Sequence, residues 1–145
     1  MKKEETIDFH IKSCWHSISR MYNQKAIQEG ITTSIGFVLI NINSKEGTPA
    51  TKIAPMMGLE SRSLTRVLKT MEDKGLITKK ADTLDKRSVR VYLTEEGKRK
   101  KAVSVETIMD FNNKVKNALS AQEWDTFFEV FNKINKVISY EQNKI

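Results

Sequence analysis

A chain of 145 residues, 39% hydrophobic and 30% charged, is one domain's worth of sequence with enough apolar material for a core, which excludes a disordered protein. The formal net charge of +7 and the pI near 9.5 point to an anionic partner, with nucleic acid ahead of a membrane surface. The single Cys14 excludes an internal disulfide, and no apolar run approaches the ~18 residues of a membrane span.

Met1-Lys2-Lys3 leads into charged sequence, unlike the apolar segment of a signal peptide, so no membrane partner and a cytoplasmic, reducing location are expected. Two prolines and six glycines, spread over long periodic stretches, predict a mainly α fold. The first helix should run from about Thr6 to Gln28, with Ile7, Ile11, Cys14, Trp15, Ile18, Met21 and Tyr22 spaced by threes and fours and Gly30 as the stop. Thr32-Thr33-Ser34 then offers N-caps to Ile35-Gly36-Phe37-Val38-Leu39-Ile40-Asn41-Ile42. That segment is apolar almost all round and rich in β-branched residues. Periodicity alone leaves helix and strand open, and the caps favour helix.

Thr48-Pro49 reads as an N-cap followed by proline at the first position of a third helix, which stops at Gly58. Pro55 inside it loses one hydrogen bond and predicts a short or distorted helix. A turn at Gly58-Leu59 leads to a fourth helix, from Glu60 or Ser61 to the stop at Gly75. At about 100° per residue, Leu64, Val67, Leu68 and Met71 fall on one stripe. The opposite face carries Arg62, Thr65, Arg66 and Lys69, with Ser61 at its edge. Such groups can bind phosphates and donate to base edges in a major groove. Many helices with no such role share the same polarity, so the context must decide. Short helix, glycine turn and basic helix together form the helix-turn-helix pattern.

After Gly75 the period changes from 3.6 to 2. Leu76-Ile77-Thr78-Lys79-Lys80 and Val89-Arg90-Val91-Tyr92-Leu93 read as two strands around a polar tip, residues 81–88, that holds Asp85, Lys86 and Arg87. A β-hairpin wing behind a helix-turn-helix makes a winged helix, with its tip at a minor groove or flanking phosphates. Between Glu60 and Val91 there are nine Lys/Arg and five Asp/Glu, so most of the chain's excess charge lies there.

Met57-Gly58-Leu59, the run from Ser63 to Ile77, Asp85-Lys86-Arg87-Ser88-Val89 and Leu93-Thr94-Glu95-Glu96-Gly97 resemble the MarR family of transcriptional regulators. The Asp-x-Arg-Ser wing followed by Leu-Thr-x-x-Gly is the most specific part. Pro55 departs from the family pattern, where many members carry a charged helical residue. The resemblance implies a homodimer that binds palindromic double-stranded DNA as a repressor. Residues 31–97 would form the winged helix-turn-helix, and residues 1–30 and 98–145 a helical dimerisation region. It implies a recognition helix presenting Ser61, Arg62, Thr65, Arg66 and Lys69, with Asp85 bracing Arg87 as Arg87 enters the minor groove beside Lys86. It also implies a small aromatic or anionic effector, for which Trp15, His16, Met21 and Phe37 are the candidate lining. Met and aromatic residues at that spacing are equally the pattern of a plain core.

Thr94 should cap the fifth helix, whose basic run Lys98-Arg99-Lys100-Lys101 reads as a solvated face. Ile108, Phe111, Val115 and Leu119 continue its stripe. Ser120-Ala121-Gln122-Glu123 is a capping box for a sixth helix, along which Trp124, Phe127, Phe131, Ile134 and Ile138 recur. Aromatics at that density are costly to leave wet, which suggests a second copy packing there, with the stripe of the first helix as its counterpart.

Other classes are weaker. His10 and Cys14 share a helix face, but two further metal ligands at suitable spacing are missing, so packing explains them better. No glycine-rich phosphate loop or nucleophile elbow is present; no enzyme, metal or cofactor is expected. A pure protein-interaction module leaves the basic face and wing unexplained. A peroxide-sensing branch of the family carries a reactive cysteine about where Cys14 falls, together with tyrosines. Here Ile18 and Gln28 stand where those phenols would lie. Ile11, Trp15 and Ile18 around Cys14 predict a buried, inert thiol.

Overall fold

Hydroxyl side chains start four of the helices in the computed structural model, which describes residues 1–85 and 87–144. Thr6 accepts from Phe9 N (3.3 Å) and opens α1 (Ile7–Gln28); Thr32 accepts from Ile35 N (3.1 Å) and opens α2 (Thr33–Ile40). Thr94 accepts from Gly97 N (3.0 Å) ahead of a helix at Glu95–Ala118, and Ser120 accepts from Glu123 N (3.1 Å) ahead of one at Ala121–Asn143. Each cap satisfies an amide that helical geometry leaves without a partner, typically worth ~1 kcal/mol. At Ser120 the box is reciprocal: its N–H donates to Glu123 Oε1 (2.8 Å), which holds the Glu123 carboxyl below the ordinary carboxylate range.

Between these lie α3 (Ala50–Met57) and α4 (Ser61–Asp73), a two-residue strand β1 (Thr48–Pro49), and the strands β2 (Ile77–Ala81) and β3 (Val89–Leu93); the two long C-terminal helices are α5 and α6. Gly58 (φ 64°) and Gly75 (φ 74°) close α3 and α4 in the left-handed conformation. After each, an apolar residue folds back onto its helix, Leu59 N donating to Ala54 O (3.0 Å) and Leu76 N to Met71 O (2.9 Å). The core gathers Ile35, Val38 and Leu39 of α2, Ile53 and Ala54 of α3, Leu64, Leu68 and Met71 of α4, and Leu76, Ile77, Val91 and Leu93 around the sheet. Val67, the remaining stripe residue of α4, packs against this cluster while partly exposed.

The sheet has the order β1-β3-β2, antiparallel throughout, with Ile77 opposite Leu93 and Lys79 opposite Val91. Its third strand corrects the reading of Thr48-Pro49 as a helix start. Thr48 pairs with Val91 and Pro49 with Arg90, and Thr48 Oγ1 accepts from Asn43 N (2.9 Å) instead of capping a helix. Pro49 precedes α3 with extended backbone (ψ 135°) and occupies the cap position, so the helix begins one residue later. Pro55 falls in the last turns of this eight-residue helix, where the missing N–H costs one bond close to an end that Gly58 already terminates.

Two further expectations are corrected. The basic run of α5 is only half solvated. Lys100 Nζ donates to Glu29 O (2.6 Å) and Glu29 Oε2 (3.1 Å), and Lys101 Nζ to Ile42 O (2.6 Å) and Ser44 Oγ (3.1 Å). These ammonium groups satisfy carbonyls just beyond the C-terminal ends of α1 and α2, where the helix dipole favours a cation. Cys14 is exposed instead of buried. The buried residues of α1, Tyr22 and Ala26, lie in its C-terminal half, so the apolar neighbours of Cys14 stand outside the core.

The chain forms two compact units, Met1–Thr107 and Ile108–Ile145. Within the first, Thr94 joins three elements. Its N–H donates to Leu76 O (3.0 Å), its hydroxyl donates to Gly75 O (2.6 Å), and the same hydroxyl caps α5. Gly97 completes the junction, because a Cβ there would collide with the Leu76 carbonyl oxygen. Gly97→Ala is therefore expected to lower stability by about 1–3 kcal/mol through overpacking, measured as a shift in the urea unfolding midpoint with an unchanged slope.

Candidate nucleic-acid interface

The apolar stripe of α4 is held by the core, so its orientation dictates which side chains face outward. Ser61, Arg62, Thr65, Arg66 and Lys69 are all exposed. Arg62 and Arg66 stand one turn apart, and like charges at that spacing repel by a few tenths of a kcal/mol. Among the described residues neither forms an ion pair, whereas Lys69 lies 3.9 Å from Asp73 in a solvent-exposed pair that contributes little. The first turn of α4 carries no acidic residue, and the side chain of the N-cap residue, Glu60, makes no capping hydrogen bond. Thr65 Oγ1 donates to Ser61 O (2.8 Å), leaving its lone pairs outward as acceptors. The face can hold anions and both donate and accept hydrogen bonds along one edge.

The wing is stiffened at its base. Asp82 is buried, Arg90 Nη1 lies 3.7 Å from Asp82 Oδ1, and Arg90 Nε donates to Glu46 O (2.8 Å). Asp82 N donates to Ser88 O (3.0 Å), closing the hairpin around its tip. At the tip, Asp85 Oδ1 accepts from Arg87 N (3.0 Å) and lies 3.7 Å from Arg87 Nε. The Arg87 side chain is otherwise in solvent, where a groove could receive it. Lys86 lies outside the described residues. Asp82, Arg90 and Glu46 escape sequence reading, since only the alternation of β3 hints that Arg90 leaves the apolar face.

Of the four candidate effector residues, Trp15 and Phe37 meet, with ring centroids 5.9 Å apart, and Tyr22 joins Phe37 at 6.1 Å. Trp15, His16 and Met21 are exposed, and Phe37 is half-buried. Met21 is six residues from Trp15, about 120° round the helix, so the two do not share a face.

A glycine-ended helix pair followed by a hairpin, with a basic outward face on the second helix, defines a winged helix-turn-helix protein. Residues 31–89 match the MarR family. The chain is 32% identical over 107 residues to the organic hydroperoxide resistance transcriptional regulator of Bacillus subtilis (strain 168), covering 72% of this chain and 73% of that protein. It is 25% identical over 148 residues to the HTH-type transcriptional regulator SarZ of Staphylococcus aureus (strain USA300), covering 99% of this chain and 95% of that one. Its fold matches the crystal structure of an S. aureus MepR–DNA complex with a TM-score of 0.84 at 20% identity, over 91% of this chain and 98% of that one. The chain belongs to the MarR family and is a DNA-binding transcriptional regulator, not an enzyme. No helix among the described residues is long and apolar enough to cross a membrane.

The base of the wing makes a direct test available. Asp82→Ala leaves the Arg90 guanidinium with only its bond to Glu46 O and removes the acceptor of Leu84 N (3.3 Å). A loss of about 1–3 kcal/mol is expected, with amide exchange of Leu84 and Ser88 accelerated ahead of the core. Asp82→Asn, which keeps the acceptor, should lose less.

Proposed function

We propose that the protein is a homodimeric repressor that binds a pseudo-palindromic operator, with α4 in the major groove and the wing in the flanking minor groove. The exposed row of Arg62, Thr65, Arg66 and Lys69 on a helix whose other face is locked in the core carries this reading. Ser61 and these four side chains are assigned to base edges and phosphates, and Asp85, Lys86 and Arg87 to the minor groove. Residues 31–97 bind DNA, and residues 1–30 with 98–145 hold the second copy. Support for the second copy comes from the apolar side chains that each unit leaves in water: Ile7, Ile11 and Trp15 on α1, and Phe127, Phe128, Val130 and Ile138 on α6. A small aromatic or anionic effector, with Trp15, His16, Met21 and Phe37 as its candidate contacts, would release the operator.

Sedimentation should give a dimer at micromolar concentration, and footprints should show two half-sites about 10 base pairs apart. Affinity should fall steeply with salt as phosphate counterions are released. Arg87→Ala should weaken binding broadly. Arg62→Ala or Arg66→Ala should relax preference at one or two base positions, by about 1–3 kcal/mol for a bidentate guanine contact. A monomer, or a footprint lacking two-fold symmetry, rules the reading out.

The exposure of Cys14 favours a second reading, organic-hydroperoxide sensing, and the B. subtilis relative is named for resistance to such compounds. In that reading the hydroperoxide O–O bond breaks, an alcohol leaves, and the thiol becomes a sulfenic acid. The absence of tyrosine at Ile18 and Gln28 favours the ligand-responsive repressor. A gel shift of native protein and Cys14→Ser with an organic hydroperoxide should leave both bound. Release of the native protein alone would make it a peroxide sensor.

A further inference from the structure

The tip of the wing carries a large apolar side chain that the chain does not bury. Leu84 is 91% exposed, and Thr83, Asp85 and Arg87 beside it are exposed too. The backbone around it is nevertheless pinned. Leu84 N donates to Asp82 Oδ1 (3.3 Å), and Ser88 N to Asp85 O (2.9 Å). Asp82 is itself buried beside Arg90, so the tip grows from a braced base. The leucine is thus presented at a set place. A leucine held in water forgoes the gain of burial, and burial against a partner recovers it with little further ordering of the backbone.

The chemistry of a minor groove fits such a side chain. Its walls are the carbon skeletons of deoxyribose, and apolar side chains are used there by other minor-groove binders. Its floor distinguishes base pairs mainly by the guanine N2 amino group, which projects into the groove over a G·C pair. Leucine has no acceptor for that amino group, so seating it over G·C crowds the groove and buries an unpaired donor. Over A·T the floor is recessed, and its acceptors can be served by Arg87, three residues along.

We infer that Leu84 enters the same minor groove as Arg87, packs on the deoxyribose walls and rejects G·C pairs beneath it. It is a specificity-determining residue beside the charged one. This inference rests on the wing reading given above, and its test separates the two.

The probe is a duplex selected by the native protein from a random pool, prepared with A·T, G·C or inosine·C pairs in the flanking minor groove. Inosine is guanine without the 2-amino group. The native protein should bind the A·T and inosine·C duplexes alike and the G·C duplex roughly ten-fold more weakly. Leu84→Ala should bring all three within about two-fold without changing the slope of log K against log salt, because it removes no charge. Leu84→Met, which keeps an apolar body, should retain the preference. Arg87→Ala should lower the salt slope by about one on all three duplexes. If Leu84→Ala keeps the native ratio of inosine·C to G·C binding, or the native protein shows no such ratio, the Leu84 inference fails while the Arg87 result upholds the wing. If Arg87→Ala changes neither affinity nor slope, the wing reading fails and the Leu84 inference falls with it.

Discussion

The junction at Gly75-Leu76 is the constraint on which the rest of the first unit depends. There α4 ends, the sheet returns and α5 begins, all within reach of one threonine. Thr94 donates to the carbonyls of Gly75 and Leu76 through its hydroxyl and its amide. Gly97 leaves room for the Leu76 carbonyl, so α5 can start in contact with the end of α4. Leu76 and Leu93 are buried on either side of this joint. A shift of any one element would break these bonds and strand the carbonyl of buried Leu76, and an unpaired buried polar group costs more than the bond itself contributes. The Leu-Thr-x-x-Gly signature therefore has a mechanical meaning. It fixes the angle at which the basic face of α4 is offered.

The outward face of α4 contributes little to the chain's own stability. Arg62 and Arg66 repel across one turn, neither has an ion-pair partner among the described residues, and the Glu60 side chain at the N-cap makes no capping hydrogen bond, while Asp73 faces Lys69. These are small costs in a free helix. In the proposed complex they would become gains, because charge-assisted hydrogen bonds to a polyanion would replace self-repulsion. The apolar face bears the opposite burden, holding Leu64, Leu68 and Met71 in the core so that the polar side chains point one way.

The wing obeys a related logic with a different brace. Asp82 and Arg90 sit at its base, and Arg90 also donates to Glu46 in the loop before β1. Beside that loop, Gly47 has no room for a Cβ against Val91 O and the Tyr92 ring. Lys101 donates to Ile42 and Ser44 of the same loop. One loop thus receives donors from the wing strand and from α5. Beyond Asp82 the amides of Leu84, Arg87 and Ser88 find acceptors within the tip, while the side chains of Leu84 and Arg87 stay in solvent.

Much of this protein was legible in local sequence. Thr6, Thr32, Thr94 and Ser120 announce helix starts, Gly58 and Gly75 announce stops, and the change of period after Gly75 announces the hairpin. The row from Arg62 to Lys69 can be read from the helical period alone. These signals act over a few residues, and the interactions that realise them are equally local. Tertiary structure decided the rest. It turned Thr48-Pro49 into a strand, because its pairing partner, Val91, lies far along the chain. It buried Asp82 against Arg90 and drew Arg90 to Glu46, 44 residues away. It turned Lys100 inward to Glu29, 71 residues away, and left Cys14 in solvent, because the buried part of α1 lies toward its C-terminal end. Periodicity states which residues share a face; it carries no information about what, across so many residues, that face will meet.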